Sequence, residues 1–208
     1  MSDDGRLTQQ IAFLIEADKL KQVIRRTPLV DSSRRENSAE HSWHLVMAAI
    51  VLREYSAADI DLLRVLEMLA VHDLVEIDAG DTFAYDAQDL VTKAERELAG
   101  AERVFALLPP DQTSRLRSLW EEFEAQETPE ARFANAMDRL QPLLQNACAQ
   151  GGSWRDHDVE RAQVLRRMAP IQSAVPAAWQ LVMKIVDDFY ASGLLRTTAS
   201  AVHEKSEE

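Results

Sequence analysis

The sequence is poor in glycine, proline and cysteine. Six glycines and seven prolines among 208 residues supply few of the turns that a many-stranded all-β fold needs. The single cysteine, Cys148, excludes a disulfide within the chain and fits a reducing compartment. Because Cys148 lies in an apolar helical stretch, we expect it to be a small buried side chain rather than a reactive thiol.

Long apolar runs are also missing, and positive charge is scarce. No run reaches the ~18 apolar residues that cross a membrane, and the polar residues 1–6 do not introduce a signal peptide. We therefore expect a cytoplasmic protein with no membrane partner. The 23 basic and 35 acidic residues give a net charge of −12, which repels nucleic-acid phosphates. A nucleic-acid partner is not expected, whereas a small phosphorylated ligand could still bind at a metal ion.

Apolar residues recur mainly at helical spacing, and no stretch of useful length alternates as a strand would. Asn37, with Glu40 three residues later, has the pattern of a capping box that starts a helix. Other helices are predicted over about 7–25, 59–71, 89–108, 111–124, 129–150, 159–168 and 177–193. The sequence thus predicts an all-α fold, with a single helical bundle over 1–196 and a polar, disordered tail over 197–208.

The predicted third helix leads into the residues that carry the chemistry. From Leu62 to Val71 it is apolar almost all round, which indicates a buried helix. His72-Asp73 follow, and Glu76 shares a face with His72 if the helix continues. A buried carboxylate is costly unless it is paired or binds a metal. A lone buried His-Asp pair is more often structural, so a metal site is indicated only if the chain offers further candidate ligands.

Two such residues lie elsewhere in the chain. His41 occupies the first turn of the second helix, and Asp138 borders the apolar stripe of the helix that contains Leu140. Two imidazoles and two carboxylates suit Mn, Fe, Co, Ni or Zn better than Mg or Ca. Four protein ligands leave coordination positions open for water and substrate, which is typical of a catalytic site.

The order His41, His72-Asp73, Asp138 resembles the signature of the HD-domain phosphohydrolase superfamily. Segments 35–42 (RENSAEHS) and 72–81 (HDLVEIDAGD) also resemble the corresponding segments of bacterial 5′-deoxynucleotidases. The resemblance covers about residues 7–195. It implies an HD-type helical bundle with a central metal site, a homodimer, and removal of the phosphate from 5′-deoxyribonucleoside monophosphates.

The resemblance also implies a role for individual residues. One divalent ion (Mn, Co, Fe, Ni or Zn) would be held by His41, His72, Asp73 and Asp138. Glu76 corresponds to a catalytic carboxylate that handles the attacking water, and Asp81 to a second one beside the substrate. Arg26 corresponds to an arginine that contacts the substrate. An aromatic residue that helps to reject ribose follows that arginine in the family, but here Thr27 follows, so the natural substrate and the selectivity for deoxyribose stay open.

Two alternatives remain beside the nucleotidase hypothesis. The chain could be an HD hydrolase of another small phosphate ester or nucleotide, such as a dNTP, a cyclic nucleotide or an alarmone. It could also be a helical dimer that binds metal without catalysis, in which case Glu76 and Asp81 would have no catalytic purpose.

Overall fold

Helices make up most of the described chain, which in this computed structural model comprises residues 3–86 and 89–196. The helices are α1 (Asp3–Ala17), α2 (Ser38–Leu52), α3 (Leu62–Val71), α4 (Glu76–Ala79), α5 (Asp89–Phe105), α6 (Pro110–Ala125), α7 (Pro129–Cys148), α8 (Gly152–Asp156), α9 (Arg161–Ala174) and α10 (Pro176–Ala191). Short 3-10 helices span Asp18–Gln22 and Arg53–Tyr55. The predicted helical bundle is confirmed, while the predicted tail, 197–208, lies outside the described residues.

Helix α7 is the central element of the bundle. It begins where the Thr128 hydroxyl accepts a hydrogen bond from the backbone N–H of Ala131 at 3.2 Å, a typical N-cap. The helix packs against α2, α3, α6 and α9, and Phe133 and Met137 are fully buried on it. Asp138 follows directly, so its carboxylate starts from the middle of the bundle.

Helices α2 and α3 deliver the other candidate ligands. The capping box is confirmed, since the Asn37 side chain accepts from the Glu40 N–H at 3.0 Å and the Glu40 carboxylate accepts from the Asn37 N–H at 3.3 Å. This start places His41 in the first turn of α2. Helix α3 begins at Leu62 rather than near residue 59. The prediction of a buried helix holds for Val65, Met68, Leu69 and Val71, but the first turn of α3 reaches the surface and leaves Leu63 64% exposed.

The segment between α1 and α2 differs from the predicted helix over 7–25. Helix α1 ends at residue 17, and after the 3-10 helix the chain forms an antiparallel hairpin of β1 (Ile24–Pro28) and β2 (Arg35–Asn37). The β-branched pair Val23-Ile24 and the proline at 28 disfavour a helix there. Side chains alternate along β1, so Arg25 and Thr27 point inward and Arg26 outward.

A tight turn joins α3 to α4 and holds the His72-Asp73 pair. Gly80 ends α4 with a φ of 73°, a left-handed conformation that glycine adopts without strain. Helix α5 packs against this turn, and a Cβ at Gly100 would lie 2.6 Å from the carbonyl oxygen of Val75. The glycine therefore lets α5 approach closely enough to support the turn.

The surface bears on two further predictions. Cys148 is exposed, so the expectation of a buried side chain is wrong. Its position explains this, because it lies one helical turn after Leu144, which also faces solvent. Within residues 3–86 and 89–196, every helix falls short of the length or the apolarity needed to cross a membrane.

Candidate metal centre and active site

The structure brings the four predicted ligands together from three helical segments. Ligand atoms of His41, His72 and Asp73 all lie within 4.8 Å of one another. The Nε2 of His41 lies 3.0 Å from Oδ1 of Asp138. All four side chains are largely buried, and His41 is fully so. Residues about 30 and 100 positions apart in the chain thus form one compact cluster.

Hydrogen bonds fix which nitrogen of each imidazole is free. His72 Nδ1 lies 3.0 Å from the carbonyl oxygen of Leu69, and a carbonyl only accepts, so Nδ1 carries the proton. His41 Nδ1 lies 3.0 Å from Oε1 of Gln141. The orientation of that amide is set by its nitrogen, which donates to the Glu36 carboxylate at 2.8 Å. Both imidazoles therefore turn Nε2, and not Nδ1, toward the cluster.

The two Nε2 atoms are placed to bind a metal ion, which would take the place of any proton on them. His41 Nε2 faces Asp138, and His72 Nε2 lies 3.0 Å from Oδ1 of Asp73. The second contact lacks hydrogen-bond geometry, which leaves His72 Nε2 buried without a hydrogen-bond partner among the described residues. Two acceptors face each other in each pair and repel unless a proton or a cation lies between them. The donor set of two nitrogens and two carboxylates suits a divalent transition metal.

The same arrangement shifts the pKa values of the His72-Asp73 pair. Burial alone would lower the pKa of His72, but the charge of Asp73, with that of Asp138, raises it to about 9. Burial would raise the pKa of Asp73, but His72 and Arg25 lower it to about 2. In the metal-free protein at neutral pH, His72 is therefore protonated and Asp73 ionised.

We expect metal affinity to rise with pH because of this proton. A metal binds neutral imidazole, so below a pKa of about 9 it must displace the proton of His72. The association constant should rise roughly tenfold per pH unit from pH 6 to 8 for one displaced proton and level off near pH 9. Titration calorimetry in buffers of different ionisation enthalpy would count the released protons. An affinity that does not change over this range would contradict the expectation.

Glu76 and Asp81 line the same cleft as His72, Asp73 and Asp138. Glu76 is buried, and the Ser38 hydroxyl donates to its Oε2 at 2.7 Å. Burial, followed by the charge of Asp73, raises the pKa of Glu76 well above its usual range. Burial likewise raises the pKa of Asp81, although the Arg25 guanidinium opposes the shift. The cleft thus holds two carboxyl groups that can take up or give a proton nearer neutral pH than ordinary carboxyls do.

Arg26, the predicted substrate contact, is exposed and lines a pocket that adjoins the metal cleft. Thr27 points inward and lines the same pocket, which also receives Arg139, Arg167, Tyr85 and Trp154. The Arg167 guanidinium lies 3.7 Å from Oδ2 of Asp138. The predicted arginine thus lines this pocket together with two further arginines.

Sequence reasoning missed several residues of this region. Arg25, not Arg26, reaches the centre, and its Nη1 donates to Oδ2 of Asp73 at 3.1 Å and lies 3.6 Å from Asp81. Glu36, a second residue that sequence reasoning missed, is buried, with an exposed fraction of only 1%. The alternation of a strand would have identified Arg25 as inward-facing, but the segment was predicted to be helical. Arg139 and Arg167 lie on helices with no local signal that sets them apart.

The fold and the site together define the class of the protein. It is a helical bundle with a metal-binding centre of two histidines and two carboxylates in its interior. The model of the HD domain family matches residues 17–179, and this chain belongs to that family. The predicted resemblance is confirmed at this level. HD domains bind a divalent metal ion, and the cluster described above provides a donor set for one.

Relatives and solved structures add detail. The chain is 29% identical to human 5′-deoxynucleotidase HDDC2 over 136 residues, which is 65% of each protein. It is 31% identical to the mouse protein of that name over 53% of this chain and 54% of the relative. The chain thus spans between about half and just under two thirds of the length of these relatives. A predicted metal-dependent phosphohydrolase from Magnetospirillum magnetotacticum MS-1 is 48% identical, with a TM-score of 0.86 over 91% of this chain and 98% of that one. A conserved hypothetical protein from Pyrococcus furiosus, 20% identical with a TM-score of 0.61 over 87% of this chain and 99% of that one, shares the fold.

Proposed function

We propose that this protein is a metal-dependent phosphoric monoester hydrolase that removes the 5′-phosphate of (deoxy)nucleoside monophosphates. The observation that carries the proposal is the shared cleft, in which His72, Asp73 and Asp138 of the donor set meet Glu76, Asp81 and several arginines. The relatives named 5′-deoxynucleotidase and the neighbour described as a phosphohydrolase support it.

In this proposal His41, His72, Asp73 and Asp138 hold one divalent ion. When bound, the ion supplies Lewis acidity toward water and toward the phosphoryl oxygens. Glu76 orients the attacking water and accepts its proton. The burial that raises its pKa makes it a stronger base once ionised. Asp81, whose pKa is also raised, holds the proton that the departing alcohol needs.

The arginines are suited to the phosphate itself. Burial lowers the pKa of Arg139, and the nearby charge of Arg167 lowers it further although Asp138 opposes this. The Nη1 of Arg139 donates to the backbone carbonyl oxygen of Asn135 at 2.8 Å and to the Oδ1 of the same residue at 2.7 Å. Two close guanidinium groups are stabilised when an anion lies between them, and their planar forks match phosphate oxygens. Arg26 at the pocket mouth would contact the same group.

The pocket beside these arginines would hold the nucleoside. Its lining includes the aromatic side chains of Phe83, Tyr85 and Trp154, which suit a base or a sugar face. Thr27 is smaller than an aromatic residue and leaves room in the pocket wall. We therefore propose that the protein accepts both deoxyribonucleotides and ribonucleotides, with weaker discrimination than an aromatic side chain would give.

The test is phosphate release from paired dNMP and NMP substrates, after chelator treatment and addition of Mn, Co, Ni, Zn or Mg. We expect release that requires added metal and is strongest with a transition metal, because the donor set contains two imidazoles. Chelator-treated protein without added metal is the control. Release from both sugar classes would support the role given to Thr27, and release from dNMPs alone would refute it.

Other outcomes would redirect the proposal. Release of pyrophosphate or triphosphate from nucleoside triphosphates would indicate a different HD hydrolase. If no phosphate ester is cleaved with any metal, although the protein binds metal, the proposal fails and a non-catalytic metal protein is favoured.

A further inference from the structure

The β1–β2 hairpin sends one basic and one acidic side chain into the interior, directly behind the candidate ligands. Arg25 comes from β1 and Glu36 from β2, and both are buried. Arg25 Nε lies 3.7 Å from Oε2 of Glu36. Buried charges are expensive unless they are paired or serve a function, so the reason for this pair lies in what each one touches.

Glu36 reaches His41 by two routes. Its Oε1 accepts from the side-chain nitrogen of Gln141 at 2.8 Å, and the other end of that amide faces Nδ1 of His41 at 3.0 Å. Its Oε2 lies 3.4 Å from the same Nδ1. Gln145 donates to Oε1 at 2.7 Å and holds the carboxylate in place. Every acceptor near Nδ1 keeps the proton there and leaves Nε2 free.

Arg25 acts in the same way on the other side of the cluster. Its Nη1 donates to Oδ2 of Asp73 at 3.1 Å, which leaves Oδ1 turned toward His72. Each of the two side chains has one buried atom with no hydrogen-bond partner in the described part of the chain, Nε of Arg25 and Oε2 of Glu36. They face each other, so a small shift of either side chain would join the two routes into one network.

We propose that Arg25 and Glu36 are positioning residues that jointly orient His41 and Asp73 for metal binding. This rests on the proposed metal site. Outer partners that fix a histidine tautomer and a carboxylate rotamer commonly contribute 10–100-fold to metal affinity. The hairpin therefore orients two of the four candidate ligands, although it supplies none of them.

The test measures Co²⁺ binding to the full chain without substrate. Calorimetry gives the affinity, and the visible absorption of bound Co²⁺ reports the geometry of the site. Glu36→Gln keeps the shape of the side chain but removes the acceptor charge behind His41. We expect its Kd for Co²⁺ to rise roughly 10–100-fold and the absorption bands to shift, because the geometry around His41 changes. Arg25→Lys keeps the charge but loses the fork, and should shift the bands with a smaller loss of affinity.

The matched control is Arg35→Gln, which alters a charged residue beside Glu36 on β2 whose side chain is exposed. It should leave both the affinity and the spectrum as in the wild type. In Glu36→Gln and Arg25→Lys, a shift of the Co²⁺ absorption bands would show that the geometry of the site has changed and not only its charge. Circular dichroism and thermal melting of the metal-free variants check folding. Should Glu36→Gln not fold, the result with Arg25→Lys tests the inference. Folded variants with wild-type affinity and spectrum would overturn the inference while leaving the proposed hydrolase intact. A wild type that binds no cobalt would overturn the metal site and this role with it.

Discussion

Asp138→Asn should lower metal affinity by roughly 100-fold or more and turnover by about 1,000-fold, since a bound metal stabilises the transition state by several kcal/mol. The substitution removes one of the two carboxylates of the donor set and keeps its shape. The new amide can also donate to Nε2 of His41, which lies 3.0 Å away, and so occupy the lone pair that a metal would use. Metal content after dialysis and phosphate release at saturating substrate would measure the two losses.

A surface carboxylate provides the comparison for this variant. Asp187 is exposed and pairs with Arg161 at 2.7 Å on the outer helices, so Asp187→Asn makes the same chemical change outside the centre. It should keep wild-type metal content and turnover. If Asp138→Asn keeps them too, Asp138 is not a ligand.

Glu76→Gln should separate catalysis from metal binding. The Glu76 carboxylate accepts a hydrogen bond from Ser38 and is not one of the candidate ligands, so the variant should fold and keep its metal. Without a carboxylate to accept the proton of water, turnover should fall by about 10²- to 10⁴-fold, the usual contribution of a general base. The acid limb of the pH–rate profile should also disappear, because the pKa of Glu76 is raised by burial and by Asp73. The measurements are metal content, KM and turnover across pH.

Glu97→Gln is a matched comparison within the same cleft. Glu97 is also buried, burial raises its pKa too, and its carboxylate lies 3.3 Å from the Lys93 ammonium. Since Lys93 already neutralises it, we expect turnover to change by less than about tenfold. Equal losses in the two variants would show that the general charge of the cleft matters, and that Glu76 is not the base.

The four candidate ligands could be predicted because their local sequence is unusual. A His-Asp pair after an apolar helix and an acidic residue beside an apolar stripe both conflict with simple burial, and such conflicts often mark sites. Helix positions also followed from apolar spacing and from the capping box at Asn37. The HD family was identifiable because the spaced ligands and their flanking segments occur together.

The support behind the ligands could not be predicted in this way. Arg25 was read as part of a helix, and only the pairing of β1 with β2, a contact between separate segments, turns it inward. Glu36 lies in a polar stretch of the sequence, and its burial depends on contacts such as that with Gln141, about 100 residues later. The exposure of Cys148 depends on which face of its helix meets the core, and Cys148 shares the solvent face with Leu144. Tertiary packing decides all three cases, and local propensity does not contain it.

The buried Arg25 also bears on the order in which the protein is assembled. The interior cluster concentrates carboxylates that would repel one another during folding, and Arg25 lies against Asp73 and Asp81 and close to Glu36. Arg25 thus gives these carboxylates a counter-charge that belongs to the chain itself, so we expect folding not to wait for the ion, in contrast to small zinc domains that are unfolded without it.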